Sequence, residues 1–156
     1  MTGPVLPPGS TAPGVKRWLF DQLTAAVAPV LVAWNDPLGA GPDDLVMVGA
    51  VRRTIRVAAL VGGGGAGWLH EEYTVEVYVG SARGGDNPVE ADTACAALVD
   101  TVIAVVRADP TCGGRVLRAR PGDHDLEPRP ALADNGPAVL GYITECTVPI
   151  ECYAAI

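Results

Sequence analysis

His70-Glu71-Glu72-Tyr73-Thr74-Val75-Glu76-Val77-Tyr78-Val79, running through Gly84-Gly85-Asp86 into Asn87-Pro88-Val89-Glu90, decides the fold. Tyr73, Val75, Val77 and Val79 share one parity, while His70, Glu72, Thr74 and Glu76 share the other. A period of two is that of a strand with one buried face and one face in water. The glycines end the strand. Asn87 then offers a helix N-cap, Pro88 suits the first helical position, and Glu90 supplies the carboxylate of a capping box. Ala91, Ala94, Cys95, Leu98, Val102, Val105 and Val106 follow at helical spacing, a stripe wide enough to cover a sheet, and Asp109-Pro110 closes the helix. Cys95 belongs to that stripe and reads as core packing.

Working back toward the start, Met1 to Gly14 is rich in Pro and Gly without apolar period, and reads as a flexible arm ahead of a single domain over residues 15–156. Val15, Leu19, Leu23, Ala26 and Val27 predict a first helix from about Pro13 to Ala28, with Lys16, Arg17, Asp21 and Gln22 mostly on its polar side. Val30 to Trp34 is a short strand closed by the turn Asn35-Asp36-Pro37, and Leu38 to Asp44 is a loop. Leu45 to Val61 is β-branched and nearly unbroken, one bent strand or two with a break near Arg52-Arg53. Gly62 to Gly67 has no side chains to pack and reads as a mobile hairpin tip.

Beyond the second helix, Arg115 to Arg120 is a short strand, Pro121 to Pro137 the longest loop, and Leu140 to Ile156 a long closing strand. In that last strand Thr144, Cys146, Val148 and Ile150 share a parity, and Pro149 calls for a bulge or an edge position. Strands joined without regular βαβ alternation imply an α+β fold: a mixed, mainly antiparallel sheet covered on one face by two α-helices.

Composition narrows the function. The 156 residues amount to one domain, 49% hydrophobic and 19% charged, with net charge -7. That charge argues against a protein that coats nucleic acid. Lys16 is the only lysine. No stretch reaches the roughly 18 apolar residues of a membrane span, and the start shows no leader pattern, so no membrane partner is expected. Cys95, Cys112, Cys146 and Cys152 follow no ligand spacing and are expected as reduced thiols.

Catalytic and cofactor chemistry find little to work with. The glycine run lacks the Lys-Ser/Thr of a phosphate loop and is followed by Trp68 and a strand, which also rules out a dinucleotide fingerprint. His70, His124, Cys112, Cys146 and Cys152 make no paired metal-ligand spacing, and Asp123-His124-Asp125 reads as a solvated turn. Ser10 and Ser81 lie outside any nucleophile elbow. Glu71-Glu72 and Glu145 offer an acid/base pair only if they leave the exposed strand face on which alternation sets Glu72 and Glu76. The expectation is therefore no enzyme, no cofactor and no metal. Arg52, Arg53 and Arg56, with Arg115, Arg118 and Arg120 as a second basic cluster, suit the carboxylates of a neighbouring subunit. Together with Gly64, Trp68, Arg83, Asp123, His124 and Asp125, Arg52, Arg53, Arg56 and Arg118 make up the candidate interface.

Several local words resemble the tail terminator proteins of long-tailed bacteriophages, particularly those of actinobacterial phages. They are the opening helix running into Val27-Ala28-Pro29-Val30-Leu31-Val32, the strand Glu72-Tyr73-Thr74-Val75-Glu76-Val77, the helix from Asn87, and its exit Asp109-Pro110-Thr111-Cys112-Gly113-Gly114-Arg115-Val116. The likeness spans nearly the whole chain after the arm. Cys112 stands where leucine would be expected, and the Gly62 to Gly67 tip is richer in glycine than usual.

The resemblance implies a virion protein, assembled in the host cytoplasm, that forms a six-membered ring on the last ring of the tail tube. Such a ring halts tube polymerisation and joins tail to head. Its implied partners are further copies of itself, the major tail tube protein and a head-tail connector or head-closure protein. DNA passes through its lumen without specific binding, and an acidic lumen would help it slide. Other neck proteins, for head closure or tail completion, share much of this layout. The rivals are a ligand-binding α+β domain, which needs a deep pocket, and a small hydrolase, which needs Ser81, a histidine and an acid in one cleft.

Overall fold

The computed structural model describes residues 9–36, 43–57, 69–133 and 136–156. Two helices, α1 (Ala12–Ala26) and α2 (Pro88–Ala108), pack on one face of a sheet built from β1 (Leu31–Trp34), β2 (Asp44–Val57), β3 (Leu69–Gly84), β4 (Arg118–Pro121), β5 (Glu127–Leu132) and β6 (Val139–Ala155). Strand order is β1-β2-β3-β6-β4, with β5 also on β6. Among the described residues only the β1–β2 pair is parallel. The α+β reading, with a mixed and mainly antiparallel sheet covered on one face, is the observed architecture.

Alternation explains the core. Tyr73, Val75, Val77 and Val79 of β3 point under the helices beside Cys146, Val148, Ile150 and Cys152 of β6. Leu19 and Leu23 of α1 and Cys95, Val99, Val102 and Val106 of α2 close over them. Val46 and Val48 carry the same parity into β2, where the register shifts between Val48 and Val51. This bulge is the bend expected near Arg52-Arg53, displaced toward Gly49-Ala50, and β2 is a single strand.

Several expectations need correcting. The arm ends earlier than Gly14: α1 begins at Ala12, and Ser10 and Thr11 are bonded to Glu71. Lys16 is buried rather than on the polar side. Its ammonium donates to Asn35 Oδ1 and lies 4.6 Å from the centroid of Trp34, and burial pulls its pKa down. Asn87 precedes α2 but makes no side-chain cap; its amide donates to the Gly84 carbonyl instead.

The span Pro121 to Pro137 is not all loop, because β5 lies within it and pairs with β6. The short strand expected over Arg115 to Arg120 starts only at Arg118. Pro149 sits in an inner strand with no register shift between β3 and β6. Its carbonyl accepts from Gly122 N, so its nitrogen faces the gap between β4 and β5, where no ladder bond is missed. The Gly62 to Gly67 tip and most of the Leu38 to Asp44 loop lie outside the described residues.

Candidate assembly interface

The uncovered face of the sheet is a lattice of opposite charges. The register sets Arg52 of β2 in one row with Thr74 of β3, Glu151 of β6 and Arg120 of β4, and Arg56 opposite His70, with Glu76 and Glu72 on the diagonals to Arg52 and Arg56. Arg56 Nε lies 3.1 Å from Glu72 Oε2, Arg120 Nε 2.8 Å from Glu151 Oε2, and Arg129 Nη2 3.0 Å from Glu145 Oε1. Arg52 reaches Glu76 only at 3.9 Å with its side chain 84% exposed. Such exposed pairs contribute roughly 0–1 kcal/mol each, so they organise the surface more than they stabilise the fold.

Arg118 stacks its guanidinium 5.4 Å from the Tyr153 ring centroid, and Tyr153 Oη meets His70 Nδ1. An open depression of about 400 Å3 lies among Arg52, Thr54, Arg118, Arg120, Glu151 and Tyr153. On the same face Tyr78 donates to Glu145 at 3.0 Å. Burial, then this carboxylate, push the Tyr78 phenol up to about 12, while Arg129 above all holds Glu145 below its usual range.

Two candidate arginines face inward instead. Arg53 has the opposite parity to Arg52 and donates from Nε to Glu71 Oε2 at 2.6 Å. Arg83 bridges Asp44 at 2.9 Å and Glu90 at 3.3 Å, fastening the end of β3 to the start of β2 and the first turn of α2. Asp44 in particular raises its pKa further.

Sequence reasoning missed Glu71, which is fully buried. One carboxylate oxygen accepts from the Thr11 amide and hydroxyl at 2.6 Å each, the other from Ser10 Oγ at 2.8 Å and from Arg53. It thereby caps the first turn of α1 from another element, where a negative charge suits the helix dipole. Burial raises its pKa, but the hydrogen bonds from Thr11, Arg53 and Ser10 outweigh that and hold the carboxyl below its usual value. The available signal was parity: Glu71 stands in phase with Tyr73 and Val75.

Asp123, His124 and Asp125 lie between β4 and β5, with both aspartates exposed and His124 Nδ1 3.0 Å from the Gly122 carbonyl. Gly64 and Trp68 lie outside the described residues. Among the described residues no group of three or more His, Cys, Asp or Glu is placed to hold a metal ion, and no helix is long and apolar enough to cross a membrane. All four cysteines are free and buried. Burial pushes Cys95 and Cys152 up to about 12 and Cys112 to about 11, which leaves them poor nucleophiles.

The two lateral sides of the sheet differ. On the β1–β2 side Leu31, Trp34, Val51 and Ile55 are exposed, and β1 covers β2 only from Leu45 to Val48. On the opposite side Leu126, Leu132, Val139 and Leu140 are exposed around β5. The chain matches no protein-family profile and no curated protein sequence, so its surface chemistry has to be read on its own terms.

Proposed function

We propose that the chain is a ring-forming subunit of a bacteriophage neck, a tail terminator that seals the end of the tail tube, stops its growth and joins it to the head. The observation that carries this reading is the pair of unlike apolar sides, Leu31, Trp34, Val51 and Ile55 against Leu126, Leu132, Val139 and Leu140. A head-to-tail ring needs two different complementary surfaces on each subunit, whereas a two-fold dimer needs one self-complementary patch. The resemblance noted above supplies the ring number and the partners. DNA passing through the ring would be repelled most by α2, whose own sequence carries Glu90, Asp92 and Asp100 against the single arginine Arg107, because arginine and glutamate alternate on the open sheet.

Electron microscopy of the purified chain mixed with tail tubes of the same phage tests this. The expected result is a ring at one tube end and a particle of six times the 16.0 kDa chain mass. Tubes that keep elongating in its presence, or a ring that binds only the head connector, would overturn the terminator role, the second outcome in favour of a head-closure protein.

A further inference from the structure

We propose that the ring closes through a specific charge pairing: Asp123, Asp125 and Glu127 of one copy dock on the open edge of β2 in the next, facing Arg52 and Arg56. This rests on the ring reading and says which surfaces meet. From Ala50 to Arg56 every residue of β2 is exposed, and among the described residues no strand pairs with this stretch on the side away from β3. Among the described residues it is a strand edge with no ladder on its outer side and with two arginines on one face.

The complementary segment lies on the far side of the sheet. Gly122 to Glu127 runs beside β6 from the level of Pro149 to that of Glu145, five steps of chain against four, and is therefore nearly extended. Among the described residues Asp123 to Leu126 make no backbone hydrogen bond. Asp123, Asp125 and Glu127 are exposed, and all three line one shallow depression beside Glu145 and Thr147 of β6. Asp123 and Glu127 stand four residues apart, as do Arg52 and Arg56: about 13 Å along β2, and somewhat less along the acidic segment, whose five steps cover four of β6. Arg52 and Arg56 approach Glu76 and Glu72 as ion pairs through Nε, at 3.9 and 3.1 Å, and both guanidiniums carry further donors on their terminal amino groups.

Charge also sets the register. Copies abutting at equal height would bring Arg52 into the row of Arg120, and Arg118 into the row of Thr54 between Arg52 and Arg56. Like charges there are unfavourable. Sliding one copy along the strands by about six residues, roughly 20 Å, replaces those arginines with the acidic segment. Across four strand spacings, roughly 19 Å from β2 of one copy to β2 of the next, the step is a tilt of about 45°, close to what strands adopt when a sheet closes on itself. β5 does not compete for the edge. Its ladder with β6 uses alternate residues, so Pro128 and Pro130 turn their nitrogens outward and offer no donors.

The test is a charge exchange read by native mass spectrometry. R52E/R56E and D123R/D125R should each lower the ring population at least about tenfold, and a chain carrying all four changes should restore it. Equimolar mixing of the two double variants should give complexes that neither forms alone. Far-UV circular dichroism and a thermal melt check that these exposed substitutions leave the fold intact. Rings formed equally well by all variants would overturn the pairing and leave the ring reading standing. A wild-type chain that forms no ring, even with tube ends, would overturn both.

Discussion

The two halves of β2 belong to one strand and behave as different materials. From Leu45 to Val48 it lies between β1 and β3 with Val46 and Val48 fully buried beneath the helices. From Val51 to Val57 it keeps the β3 ladder, has no second strand neighbour among the described residues and is solvent-exposed through Arg56. The division falls at the bulge, so one strand serves the core with its first half and presents a surface with its second. Valine therefore means different things at positions 48 and 51.

The sharpest way to break the contrast is to put the same charge into each half. Val48→Asp buries a carboxylate with no partner and should cost more than about 4 kcal/mol, a large part of the total stability of such a domain. Val51→Asp should stay within about 1 kcal/mol. Urea unfolding, followed through reaction of the four buried thiols with a disulfide reagent, measures both.

Glu71→Ala should come next, at about 2–4 kcal/mol, since Thr11, Ser10 and Arg53 lose their common acceptor. Because the native Glu71 carboxyl titrates below the usual 4.5, its contribution is complete above that pH and is lost as pH falls through the lower native value. Glu71→Gln should remove this part of the acid transition in melts taken from pH 6 to about 2.5. An unchanged acid limb would show that the clamp does not stabilise the fold.

The smallest effects belong to ion pairs. Arg83→Ala should cost roughly 1–2 kcal/mol, because its partners Asp44 and Glu90 tie three elements together with the guanidinium largely covered. Arg56→Ala should cost no more than about 0.5 kcal/mol of monomer stability. If the two were equal by chemical denaturation, the division between structural and surface arginines would fail.

Much of this architecture was legible because period two and period 3.6 are strong signals when one face is buried. The Tyr73 to Val79 strand and the helix after Asn87-Pro88 stand where the pattern sets them. Residues that break the usual association of polarity with exposure were hidden. Glu71 and Lys16 are buried because partners distant in sequence meet them, and no local pattern encodes Thr11 or Asn35 arriving there. β5 was hidden by its prolines, which look like loop until a register with β6 turns them outward. In the candidate interface, alternation separates Arg52 and Arg56 from Arg53, but only the fold shows that Arg83 is held internally.

The outward prolines of β5 also bear on how the protein avoids clumping. A sheet with two receptive edges can recruit copies of itself without limit and grow into fibrils. Here Pro128 and Pro130 leave the β5 stretch of one flank without outward backbone donors, so an added strand cannot run a ladder along the whole of that side. Replacing both with threonine would create the missing donors, and such a variant should turn a soluble preparation into one that binds thioflavin on standing.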